Sequence, residues 1–134
     1  TIDPHRDPSK SPTISSINAG NNVASVVFVS TGTNNEVNPQ TDAGHRLRIT
    51  ATGGGNIPAN TDLATVTFAT PYRYKRPDGI TSNLQPQIHL AAKGALYAYA
   101  IPSYTGYSIQ LADIIPPNGS IDLSIIVDPG VPTV

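Results

Sequence analysis

Only one glutamate, Glu36, and three lysines, Lys10, Lys75 and Lys93, occur in the chain. The residues that normally coat the solvent side of helices are therefore almost missing. Ile, Val, Thr, Tyr and Phe fill 45 of the 134 positions, and these side chains favour a pleated, half-buried backbone. The 11 Gly and 13 Pro are spaced among them as turn signals. A chain of this kind is expected to be all-β, with no helix longer than a turn or two. One short turn is allowed at Leu90–Gly94.

Hydrophobic alternation places the strands. In His45–Thr52, Leu47, Ile49 and Ala51 point one way and Arg46, Arg48 and Thr50 the other. In Asp62–Thr70, Ala64, Val66 and Phe68 are read as inward against Leu63, Thr65 and Thr67. Gln87–Ala91 sets Ile88 and Leu90 together, and Tyr107–Leu111 sets Tyr107, Ile109 and Leu111 together. Leu96–Ile101 puts Tyr97, Tyr99 and Ile101 on one face and Ala98 and Ala100 on the other. Ile14–Ile17 and Ile121–Val127 complete the set. Val23–Ser30 is apolar on both faces, so it reads as a buried central strand or one whose second face is covered by another subunit. About eight strands suit a jelly-roll-like antiparallel β-sandwich. The organisation expected is a flexible tail over 1–12, one sandwich domain over 13–130 and a short tail over 131–134.

Several function classes are excluded by composition. There is no Cys, so no disulfide framework, no Cys-ligated metal and no thiol nucleophile. The net charge of -1 argues against nucleic acid as a partner. The charge-free stretches Ser11–Asn35 and Gly94–Ala112 are broken by polar residues, Gly and Pro, short of the ~20 apolar residues a spanning helix needs. The start, Thr1 rather than Met, suggests a processed or excised chain, and residues 1–12 are polar and interrupted by Pro4, Pro8 and Pro12, unlike a signal peptide. Leu, Ile, Val and Phe total 32 residues, enough for a thin core that would gain from burying a second face against copies of the same chain.

A family resemblance is carried by several segments. Thr41-Asp42-Ala43-Gly44, Arg48-Ile49-Thr50 and Ala64-Thr65-Val66-Thr67-Phe68-Ala69-Thr70-Pro71-Tyr72 form its first half. Pro86-Gln87-Ile88-His89-Leu90, Ala91-Ala92-Lys93-Gly94-Ala95, Tyr97, Thr105-Gly106-Tyr107-Ser108-Ile109 and Ile125-Ile126-Val127 form its second. Over residues 41–130 the chain resembles a module near the C-terminus of bacteriophage tail-fibre and tailspike proteins. The resemblance implies a homotrimeric β-sandwich at the tip of a fibre on the virion, outside cells when it works. Its role would be to bind a host-surface glycan. The alternatives are a trimerisation or folding cap for the fibre, or a capsid or decoration jelly roll.

The chain departs from that pattern at residues 73–85, an insertion holding three of the eight basic residues. Arg73, Lys75 and Arg76, with Tyr72 and Tyr74 beside them, suit an acidic glycan or a teichoic-acid-like polymer, because guanidinium groups grip anions and tyrosine rings stack on sugars. The competing reading is a solvated hairpin whose charges protect a sheet edge. Arg73, Tyr74, Lys75 and Arg76 are the candidate ligand residues, with Tyr104, in the Pro102–Gly106 connection, as a further one. Tyr97, Tyr99 and Tyr107 read as core or subunit-interface residues.

No catalytic signature is present, and the chain is expected to be non-enzymatic and free of cofactors. It has no G-x-S-x-G, no H-E-x-x-H and no phosphate loop, and Gly53-Gly54-Gly55 reads as a turn. Asp62, Asp78, Asp113, Asp122 and Asp128 fall at turns and strand ends, where Asp is a routine turn former rather than half of a glycosidase pair. Thr1 lies in the tail, without the rigid setting a terminal nucleophile needs. His5, His45 and His89 are scattered, and a metal would require one His from each subunit around a trimer axis.

Overall fold

The computed structural model describes residues 3–7, 9–17, 23–29, 40–51, 60, 62–93, 98–111 and 120–134. The strands are β1 (Thr13–Ile17), β2 (Val23–Phe28), β3 (Gly44–Ala51), β4 (Asp62–Thr67), β5 (Arg73–Lys75), β6 (Thr81–Asn83), β7 (Gln87–Lys93), β8 (Ala98–Pro102), β9 (Gly106–Leu111) and β10 (Ser120–Asp128). Eight of them form two antiparallel four-stranded sheets, ordered β1-β4-β9-β8 and β2-β3-β10-β7, and β5 and β6 make a separate hairpin. β1 lies against β2 and β7 against β8 where the sheets meet at their edges. The two sheets make the expected all-β antiparallel sandwich, with its first and last strands, β1 and β10, in different sheets.

Alternation decides what each sheet buries. His45, Leu47 and Ile49 of β3 face inward, as do Ile121, Leu123, Ile125 and Val127 of β10. From the opposing sheet come Leu63, Ala64, Val66, Phe68, Tyr107 and Ile109, and the two sets join in one core. Each fully buried Leu or Ile contributes about 1.5–3 kcal/mol relative to exposure. Leu63 was expected outward but is completely buried, because the β4–β9 register slips between Asp62 and Ala64 and turns two successive side chains inward.

Two further expectations are corrected, and a third is narrowed. β2 is not a central strand: among the described strands it pairs with β3 alone and lies at a sheet edge, with Val26 buried and Val27 46% exposed. The second apolar face of the segment is the outer face of the sheet, where Val27 stands in water. The turn allowed at Leu90–Gly94 is absent, since β7 runs on to Lys93 against Leu123 and Asp122 of β10. On β8 the small residues face the core: Ala98 and Ala100 pack against it, whereas Tyr99 and Ile101 face solvent. Tyr107 is a core residue, as one reading had it, and Tyr97, Gly53–Gly55, Asp113 and Thr1 lie outside the described residues.

The Thr105-Gly106-Tyr107 step has a steric cause. A Cβ at Gly106 would stand 2.0 Å from the Val66 carbonyl oxygen, so only glycine lets β9 begin against β4.

Candidate functional site

The insertion forms a hairpin at one end of the sandwich. Arg73, Tyr74 and Lys75 pair with Asn83, Ser82 and Thr81. Its turn, Pro77-Asp78-Gly79, is built from residues suited to the task. Pro77 presets its own φ, Asp78 Oδ1 accepts the Ile80 N–H at 3.0 Å, and Gly79 adopts φ +87°. The Gly79 N–H donates to the Arg76 carbonyl at 2.9 Å and the Arg76 N–H to the Ile80 carbonyl at 2.8 Å. Pairing puts Arg73 and Lys75 on one face of the ribbon and the half-buried Tyr74 on the other. Arg76 is engaged by Asp78 at 2.9 Å. Arg73 and Lys75 are exposed and have no carboxylate partner among the described residues.

The stem of this hairpin is rigid. Tyr72, directly before β5, is 1% exposed and is therefore unavailable to a sugar, contrary to its reading, with Tyr74, as a ring for stacking beside the basic residues. Its ring stacks on His5 with centroids 3.7 Å apart and meets Phe68 edge-on at 5.0 Å. Its N–H donates to the Tyr104 carbonyl at 2.7 Å, and its carbonyl accepts the Leu84 N–H at 3.0 Å. The structure thus brings the main chain of Tyr104 to the base of the hairpin that carries Arg73–Arg76. The Tyr104 side chain is half-buried.

Two residues that sequence reasoning left aside hold this end together. Asp42 is fully buried, and its carboxylate accepts the Ala69 and Thr70 N–H groups at 2.9 Å each. Burial pushes its carboxyl above the ordinary range, against the pull of those two hydrogen bonds. The Asp42 carbonyl accepts the Tyr72 hydroxyl at 3.3 Å. His5, within the segment read as a tail, is 1% exposed, and its carbonyl accepts the Ala43 N–H at 2.9 Å. An Asp before Gly44 at a strand start was a legible turn signal. No local signal marks His5, whose ring partner lies 67 positions along the chain (residue 5 to residue 72).

The other titratable candidates are separated. His45 is buried; its Nδ1 donates to the Thr41 carbonyl at 3.0 Å, which leaves Nε2 to accept from the Tyr107 hydroxyl. Burial, not the neighbouring arginines, lowers its pKa to about 4. Arg46 and Arg48 lie on the opposite face, and Arg48 pairs with Asp122 at 2.8 Å. Asp62 accepts from Gln110, Asp78 from Ile80, and Asp128 from Gly130. His89 is exposed near Asp128. Among the described residues no three metal-ligating side chains come together, and no helix is long and apolar enough to cross a membrane. Compared with protein-family models, with curated proteins and with solved structures, the chain finds no match in any of the three.

Proposed function

We propose that the chain is a non-catalytic, homotrimeric tip domain of a phage fibre-like protein that binds an acidic host-surface carbohydrate, on the virion and outside the cell. The observation that supports it is the β5–β6 hairpin: a short ribbon fixed at Tyr72 that holds Arg73 and Lys75 in solvent without carboxylate partners among the described residues. A fixed stem means little conformational entropy is lost when two cations engage a polyanion. Tyr74 and Tyr104 stand at the same end of the molecule. The structural reading, a trimerisation or folding cap, draws on a different feature, the exposed Val27 and Ile126 on the outer face of the β2-β3-β10-β7 sheet.

Alanine variants of Arg73, Tyr74, Lys75 and Arg76, assayed on arrays of acidic glycans and by cell adsorption, separate the two. A charge-assisted hydrogen bond contributes about 1.5–3 kcal/mol, so removing Arg73 should weaken glycan binding by roughly tenfold or more. Unchanged binding across all four variants removes the hairpin from the reading. Loss of fibre assembly on deletion of the domain, with silent hairpin variants, favours the cap.

A further inference from the structure

The outer face of the β1-β4-β9-β8 sheet carries a second feature, remote in chemistry from the basic hairpin. At its start β9 presents Gly106 and Ser108 on this face, between the Thr65 and Thr67 side chains of β4 and Ile101 of β8, with Ser103 and Thr105 of the β8–β9 connection at the end. Small residues flanked by larger ones leave a trough of about 220 Å³. Its lining contains no charged residue, five Ser and Thr side chains and one half-exposed aliphatic wall, Ile101.

Two positions back along β8 from Ile101, roughly 6.6 Å away, comes Tyr99 on the same face. Its hydroxyl sits against Gln110 Oε1, the residue directly opposite on β9, and 3.1 Å from Asn60 Oδ1. A tyrosine whose hydroxyl is tied to its cross-strand neighbour lies over the sheet and does not stand up from it. One ring face is therefore turned to water, in keeping with its 36% exposure. Gln110 is fixed in turn through Nε2 to Asp62.

From this arrangement we infer that the trough and the Tyr99 ring form a binding site for a neutral saccharide, separate from the hairpin. A pyranose has a C–H face that packs on an aromatic ring or an aliphatic wall, and equatorial hydroxyls that exchange hydrogen bonds with Ser and Thr. The absence of any cation in the lining, with Asp62 at its margin, disfavours an anionic ligand. The trough has room for about one ring, so recognition is of single residues in a longer neutral glycan.

The test is an NMR titration of the whole chain with the methyl glycosides of glucose, galactose, mannose and N-acetylglucosamine. At least one should give saturable shifts at the amides of Tyr99, Ile101, Gly106 and Ser108, and none at Arg73–Arg76. Tyr99→Ala should weaken that binding at least tenfold. Tyr99→Phe keeps the ring but drops the tie to Gln110, and should fall between. Thr65→Val, which removes a hydroxyl at constant shape, guards against a folding defect in the tyrosine variants and should also weaken binding. No saturable shift on this face with any of the four probes, or shifts indifferent to all three variants, overturns the site. So does a contact between copies of the chain that buries Tyr99 and Ile101. Because Arg73→Ala is expected to be silent here, failure of the hairpin reading and failure of this one are read separately.

Discussion

His45 sits where a charge has no water to solvate it, and this makes the protein's stability depend on acid. In the fold the ring is neutral, held between the Thr41 carbonyl and the Tyr107 hydroxyl. Its pKa falls from the usual 6.5 to about 4 because burial penalises the cation. In the unfolded chain the same ring takes up a proton below about pH 6.5. Between roughly pH 6.5 and 4 the unfolded state therefore binds the extra proton and stability declines, by about 3 kcal/mol in all. Asp42 works the other way, since its carboxyl is raised and gains a proton more readily in the fold as pH falls. Urea unfolding across this range should show the midpoint dropping in the native chain. In a His45→Leu/Tyr107→Phe double variant, where neither partner is left unsatisfied, the drop should be much shallower. An equally steep drop in the double variant would place the acid sensitivity elsewhere.

Elements show why two glycines at turns have unequal weight. Gly79 needs its freedom only for φ +87°, with open space around a new Cβ, so Gly79→Ala should cost about 1–2 kcal/mol in backbone strain. At Gly106 the obstruction is the Val66 carbonyl 2.0 Å away, which is backbone held inside the β4–β9 pairing and has no rotamer to yield. Gly106→Ala should destabilise by about 3 kcal/mol or more, beyond ordinary overpacking. Thermal or urea unfolding ranks the two, and a more harmful Gly79→Ala would mean that β9 can slide away from β4. The same contrast explains what was legible from the chain alone. The inward faces of β3, β9 and β10 could be read because each alternates with a period of two: β3 and β10 pair with each other in an unbroken register, and the slip in the β4–β9 pairing falls on β4. Leu63 could not, because a bulge abolishes that period locally. Nor could the place of β2: a strand apolar on both faces looks the same in the middle of a sheet and at an edge covered by something else. The basic hairpin was visible from its composition, but its rigid stem was not, since His5, Asp42 and Tyr72 meet only through the finished topology.

Across the whole molecule, surface area bears on the number of chains. A monomer of 14.0 kDa is expected to expose roughly 6700 Å², and this chain exposes 7430 Å². Apolar side chains left in water on the outer sheet faces add to that area. Val27 at 46% and Ile126 at 61% exposure stand on the outer face of the β2-β3-β10-β7 sheet, around the Arg48–Asp122 pair. A symmetric contact there would bury the second apolar face of β2, leaving the Tyr99 face and the hairpin to ligands. On the fibre-tip reading, light scattering should give roughly three times the monomer mass. Val27→Asp and Ile126→Asp should each shift the population towards one chain, because an unpaired carboxylate in such an interface costs several kcal/mol. Tyr99→Ala should leave the mass unchanged. A native chain that stays monomeric at high micromolar concentration would remove the trimer and count strongly against the fibre-tip reading. The Tyr99 trough would remain, since every residue it uses comes from one copy of the chain.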